Sequence, residues 1–133
     1  MCDHDAGDPV ADPVVIALTV DVTAAAGAVQ VAAVTEAGRQ ADALLGEPPL
    51  PGSVEWHAEE GTDIPLRRER AWQLLQLRIG LGAGMDPLPV LIGLRRHGAT
   101  WEEIAHAAGV TRQSAHERWA GRVADALDRD VAG

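Results

Sequence analysis

The stretch that most constrains the fold runs from Gly98 to Arg122, GATWEEIAHAAGVTRQSAHERWAGR. Thr100 followed three residues later by Glu103 is a capping box, in which each side chain satisfies the other residue's free backbone N–H at a helix start. Ile104, Ala105 and Ala108 then share one helical face. Gly109 follows where the chain must turn sharply, and glycine accepts the left-handed backbone that many helix ends need. Val110 is placed to plug the corner, and Thr111 is a second N-cap. Ala115, Trp119 and Val123 recur every four residues, so they form the inner stripe of a second helix. The stretch predicts two short helices joined by a tight turn.

The outward face of the second helix carries Arg112, Gln113, Ser114, His116, Glu117 and Arg118. An arginine fork can hold guanine O6 and N7, and a glutamine can hold adenine N6 and N7. Arg112 and Gln113 stand at the helix N-terminus, the end that meets base edges in a helix-turn-helix. The free backbone N–H groups of that end also suit a phosphate.

The run resembles the helix-turn-helix of bacterial transcription regulators, in the form frequent in actinobacterial proteins: G-x-[ST]-W-x-E-I-A-x-A-x-G-V-[ST]-R-Q-x-A-x-x-R-W. The matching residues are Gly98, Thr100, Trp101, Glu103, Ile104, Ala105, Ala107, Gly109, Val110, Thr111, Arg112, Gln113, Ala115, Arg118 and Trp119. The likeness covers about a fifth of the chain, or about a third (residues 86–122) with the preceding helix. It implies a sequence-specific binder of double-stranded DNA that acts in transcription control as a homodimer, with a recognition helix at about 111–122. Arg112, Gln113 and His116 are then the base readers. Thr111, Ser114, Arg118 and Arg122 are the phosphate contacts, with Arg95 and Arg96 as helpers. A helical hairpin used only for packing or protein contact is the competing reading.

Asp86-Pro87, then Leu88, Leu91, Ile92 and Arg95, mark the first helix of a three-helix unit, closed by Gly98. Upstream, Asp63 or Thr62 caps a helix with Pro65 in its first turn. That helix is apolar on more than one side through Leu66, Trp72, Leu74, Leu75, Leu77, Ile79 and Leu81, which suits the centre of a fold or a dimer interface. Glycines at 80, 82 and 84 break it. Arg67, Arg68 and Arg70 crowd its start, the unfavourable end of the dipole for cations. A solvated face, acidic neighbours, a partner or DNA phosphate all fit them.

Asp12-Pro13 opens the N-terminal region. Val15, Leu18, Val22, Ala26, Val29, Ala33, Ala37, Ala41 and Leu44 make a helical stripe, with a break expected near Gly27. The rival is a strand over 14–22, where Val14, Ile16, Leu18, Val20 and Val22 alternate. It has no partner strand within the chain. Residues 46–63, rich in proline, read as a loop in which Trp56 is an anchor onto the core.

The expected fold is therefore all-α: a helical bundle with a C-terminal three-helix helix-turn-helix unit and a long N-terminal Ala/Val-rich helix. The expected divisions are a flexible acidic tail at 1–11, a support or dimerisation region at 12–82 and a DNA-binding region at 83–133.

Charge qualifies the DNA reading. The chain carries −9, with 11 basic residues, all arginine, against 20 acids. Between Arg95 and Arg122 five arginines face three glutamates, leaving that stretch at +2 and the remainder at −11. Basic character is local, so non-specific binding should be weak and strong occupancy should need a dimer or a protein partner. An acidic protein-interaction module, serving an RNA polymerase, sigma-factor or toxin partner, is the alternative. Glu55, Glu59 and Glu60 lack a second feature that would make them catalytic, and no phosphate loop, zinc spacing or Ser/His/Asp arrangement occurs, so neither an enzyme nor a cofactor is expected. The lone Cys2, with Asp3, His4 and Asp5, reads as tail rather than metal site. No secretory signal or membrane span is expected, and the cytoplasm, at the nucleoid, is the expected location.

Overall fold

The structure is a computed structural model that describes residues 12–132, with side chains to Arg129. The tail at 1–11 and its Cys2, Asp3, His4 and Asp5 lie outside the described residues. Among those described, seven helices and no strand occur: α1 Pro13–Thr19, α2 Thr23–Leu45, α3 Val54–Ala58, α4 Ile64–Gly82, α5 Leu88–Arg96, α6 Trp101–Ala108 and α7 Arg112–Ala132. The all-α bundle is thus the observed class. Contacts among the described residues cluster into two units that meet within α2, between Ala33 and Val34.

In the first unit, Asp12 caps α1, its Oδ1 accepting from the Val14 N–H at 2.9 Å. The helix ends at Val20, which is extended, and Asp21 then accepts from both the backbone N–H and the hydroxyl of Thr23, at 3.0 and 2.7 Å. The break expected near Gly27 therefore lies at 20–22. An aspartate side chain that bonds its own neighbourhood offers the backbone an alternative to helix, while Gly27 is carried through α2 by good helix formers on both sides. The strand reading of 14–22 fails as well, because its residues close helical hydrogen bonds instead, such as Val20 N to Ile16 O at 2.9 Å.

The second unit begins with the later turns of α2, which bury Ala37, Gly38 and Ala41. Gly38 lets the Trp72 indole of α4 lie close, since a Cβ there would stand 3.2 Å from it. The indole N–H donates to Asp42 Oδ1 at 2.9 Å. The segment 46–63, expected as loop throughout, holds the short α3, whose Ser53 hydroxyl accepts from the Trp56 N–H. Trp56 itself is 38 % exposed, so it is no core anchor. α4 packs on α5 and α6, and both α5 and α6 pack on α7. It is the central helix, burying Gln73, Gln76 and Leu77.

The core joins Leu77 of α4, Leu91 and Leu94 of α5, Ala99, Trp101, Ile104 and Ala105 around α6, and Ala115, Trp119 and Val123 of α7. At roughly 1.5–3 kcal/mol for each large side chain fully covered, this cluster is the main favourable contribution to the unit's stability. Among the described residues no single helix is long and apolar enough to cross a membrane, though the bent pair α1 and α2 passes by length and composition together.

Candidate nucleic-acid interface

The geometry starts at Thr100. Its hydroxyl accepts from the Glu103 N–H at 3.1 Å, and Glu103 Oε1 accepts from the Thr100 N–H at 3.0 Å, completing the box. Glu103 does a second job that its spacing does not reveal. Both of its carboxylate oxygens accept from Arg70 Nη1, at 2.9 and 3.0 Å, and Arg70 Nη2 donates to the His97 carbonyl at 2.8 Å. One guanidinium of α4 therefore ties the end of α5 to the start of α6. The Thr100 backbone N–H, with Arg70 adding to it, holds the Glu103 carboxyl below its usual range. Arg68 is likewise paired, with Glu59.

α6 ends at Gly109 in the left-handed region, φ +74°. The turn closes as the Val110 N–H donates to the Ala105 carbonyl at 3.1 Å, and Val110 packs on the core. Thr111 caps α7 through its hydroxyl, which accepts from the Ser114 N–H at 3.0 Å. Ala115, Trp119, Val123 and Ala126 are the buried stripe that seats α7. The helix runs on to Ala132 without a break.

That seating fixes where each expected contact residue stands. Thr111, Arg112, Gln113, His116 and Arg118 are exposed in the first two turns of α7, and Ser114 is half-buried. Arg112 and Arg118 are six residues apart, a rise of about 9 Å. Among the described residues neither has an ion-pair or hydrogen-bond partner. Gln113 Nε2 donates to Glu117 Oε2 at 3.2 Å, which places an acid on the same face. The His116 ring meets Trp101 edge-on, with centroids 5.8 Å apart.

Two of the expected phosphate contacts, the helper Arg95 and the principal contact Arg122, have internal employment. Arg95 is half-buried, its guanidinium 5.3 Å from the centroid of the Trp101 ring while Nη1 donates to the Ala99 carbonyl at 2.7 Å. It braces the turn between α5 and α6. Arg122 donates through both terminal nitrogens to Asp86, at 3.3 and 2.9 Å, and so ties α7 to the start of α5. Arg122 holds the Asp86 carboxyl below its usual range, with the Leu88 N–H assisting. Arg96 is exposed and also has a partner. Of the bracing residues, Arg70 has one of its expected settings, an acidic neighbour, while Asp86 carried no expectation of a partner. They stand 33 and 36 positions from their partners, beyond any local spacing rule.

Among the described residues no three His, Cys, Asp or Glu side chains are grouped to hold a metal ion. No protein-family model, curated protein or solved structure matches this chain.

Proposed function

We propose that this chain is a sequence-specific binder of double-stranded DNA, of the helix-turn-helix regulator kind that its 98–122 stretch resembles, acting on transcription as a homodimer at the nucleoid. The observation that carries the reading is the start of α7. Two arginines there, Arg112 and Arg118, are exposed and have no partner among the described residues, on a helix that Arg122 ties to the start of α5 and that packs on α5 and α6, whose junction Arg70 and Arg95 brace. Rigid presentation matters because a bidentate contact tolerates little misplacement. Arg112 reads a guanine edge and Gln113 an adenine edge. The amide of Gln113 must first leave Glu117. His116 flanks them, while Thr111, Ser114 and Arg118 meet phosphate.

The test is a binding isotherm on random genomic duplex over a salt series, followed by selection of the operator. Binding that weakens with rising salt supports the reading. No binding at about 25 mM salt, where even a few phosphate contacts hold, overturns it.

A second reading, an acidic protein-interaction module with the helix-turn-helix as framework, is favoured by the −9 charge and by Glu117 on the presented face. It predicts retention of a basic protein partner without DNA.

A further inference from the structure

The first unit exposes apolar side chains that a soluble helix keeps covered. Eight valine, isoleucine and leucine residues between Val14 and Val31 are each 46–79 % exposed, Leu18, Val29 and Val31 among the most. From Val22 to Thr35 the sequence has fourteen residues without a charge, its longest such run, bounded by Asp21 and Glu36. A helix that is apolar on every side is a buried helix, and a patch of this size on a lone chain marks an interaction surface.

We propose that this surface pairs with the same surface of a second copy of the chain. This deepens the homodimer reading above by naming its interface. Charge selects the occupant. Two copies, each at −9, repel over most of their surfaces, and the uncharged run is where they can approach. An anionic lipid surface is disfavoured, because the first 38 residues hold six acids and no basic residue. A charged protein partner finds no complement along the run. The area suffices too. Residues two apart on a helix point to nearly opposite sides, so the partner's α1 and α2 must pack on more than one side. Covering all eight side chains in that way removes on the order of 500 Å² per chain, about 1,000 Å² for the pair, which reaches the lower bound of a specific interface.

Sedimentation equilibrium of the full chain, with Val29→Glu/Val31→Glu beside it, tests the inference. Glutamate is a good helix former, so the variant keeps α2. The expected result is a wild-type dimer and a variant dimerising about a hundredfold more weakly, since burying two unpaired carboxylates is costly. Leu66→Glu, at an exposed position in the first turn of α4, serves as a control and should leave the dimer intact. Tryptophan fluorescence unchanged in the variant shows that the core around Trp101 and Trp119 persists. A monomeric wild type overturns the dimer itself. A variant as dimeric as wild type overturns this interface while leaving the homodimer standing. Co-sedimentation of wild type with neutral phosphatidylcholine vesicles in place of self-association gives the surface to a membrane, and also overturns the proposal. DNA affinity of the monomeric variant for a single half-site reports separately on α7.

Discussion

Glu103→Ala removes one side chain that joins three segments, so its cost can be worked from the structure. The Thr100 N–H loses its acceptor, and such a capping bond contributes about 1 kcal/mol. Arg70 loses the carboxylate whose two oxygens share its Nη1 but keeps the His97 carbonyl through Nη2. The two side chains are 28 % and 40 % exposed, so solvent screens the pair and it contributes about 0.5–1 kcal/mol. The sum is about 1.5–2 kcal/mol, a fall in Tm of roughly 5–10 °C for a chain of this size. Urea unfolding followed by tryptophan fluorescence measures it, and Glu103→Gln separates the two parts, since its amide oxygen still accepts from Thr100 while the charge is gone. The sign with pH follows from the direction of the shift. The Glu103 carboxyl is held low in the folded state, so its stabilisation is present above the unfolded value and is lost as pH falls through the folded one. Wild type and Glu103→Gln should converge as pH falls below the ordinary carboxylate range. A Glu103→Ala loss under about 0.5 kcal/mol at pH 7, or a wild-type advantage over Glu103→Gln undiminished in acid, refutes the reasoning.

Arg112→Ala should weaken operator binding by about 1–3 kcal/mol and relax the base preference at one position, whereas Arg118→Ala should weaken all sequences alike, both read by fluorescence anisotropy. Gly109→Ala should cost about 1–2 kcal/mol in urea unfolding, because its φ of +74° crowds a Cβ. Gly121→Ala, mid-helix with open space around the added methyl, should gain about 0.5–1 kcal/mol. Gly38→Ala should lose stability despite the same helix preference, because Trp72 stands 3.2 Å from the new carbon and is held by Asp42.

What could be read in the sequence was local. Thr100 and Glu103 are three residues apart, Gly109 follows at a helix end, and Ala115, Trp119 and Val123 repeat at one period, so each rests on geometry that a short window contains. The break at 20–22 was also local but competed with Gly27, and the hydrogen bonds of Asp21 decided it. Ser53 sits after a Pro-Gly pair, and its capping of α3 was masked by the prolines around it. The pairings of Arg70 with Glu103, Arg122 with Asp86 and Trp72 with Asp42 span 30 to 36 positions. Nothing in the local pattern distinguishes such arginines from solvated ones.

That distinction changes the electrostatics of the proposed DNA contact. Counted along the sequence, five arginines between Arg95 and Arg122 could each neutralise a phosphate, and two chains would give a salt slope near −9. In the folded unit Arg95 is committed to Trp101 and the Ala99 carbonyl, Arg122 to Asp86, and Arg96 also has a partner. Arg112 and Arg118 remain, with Glu117 between them in sequence. Four phosphates per dimer give a slope of roughly −4 at most, and less if Arg112 is spent on a base. Affinity from phosphate alone is then small, so base contacts and dimerisation must supply the discrimination. A measured slope near −9 would mean that Arg95, Arg96 and Arg122 all leave their internal partners on DNA. Asp86→Asn tests that directly. It frees Arg122 and should steepen the slope by about 2 per dimer if the internal tie is what withholds it; an unchanged slope would show that the tie does not limit DNA contact.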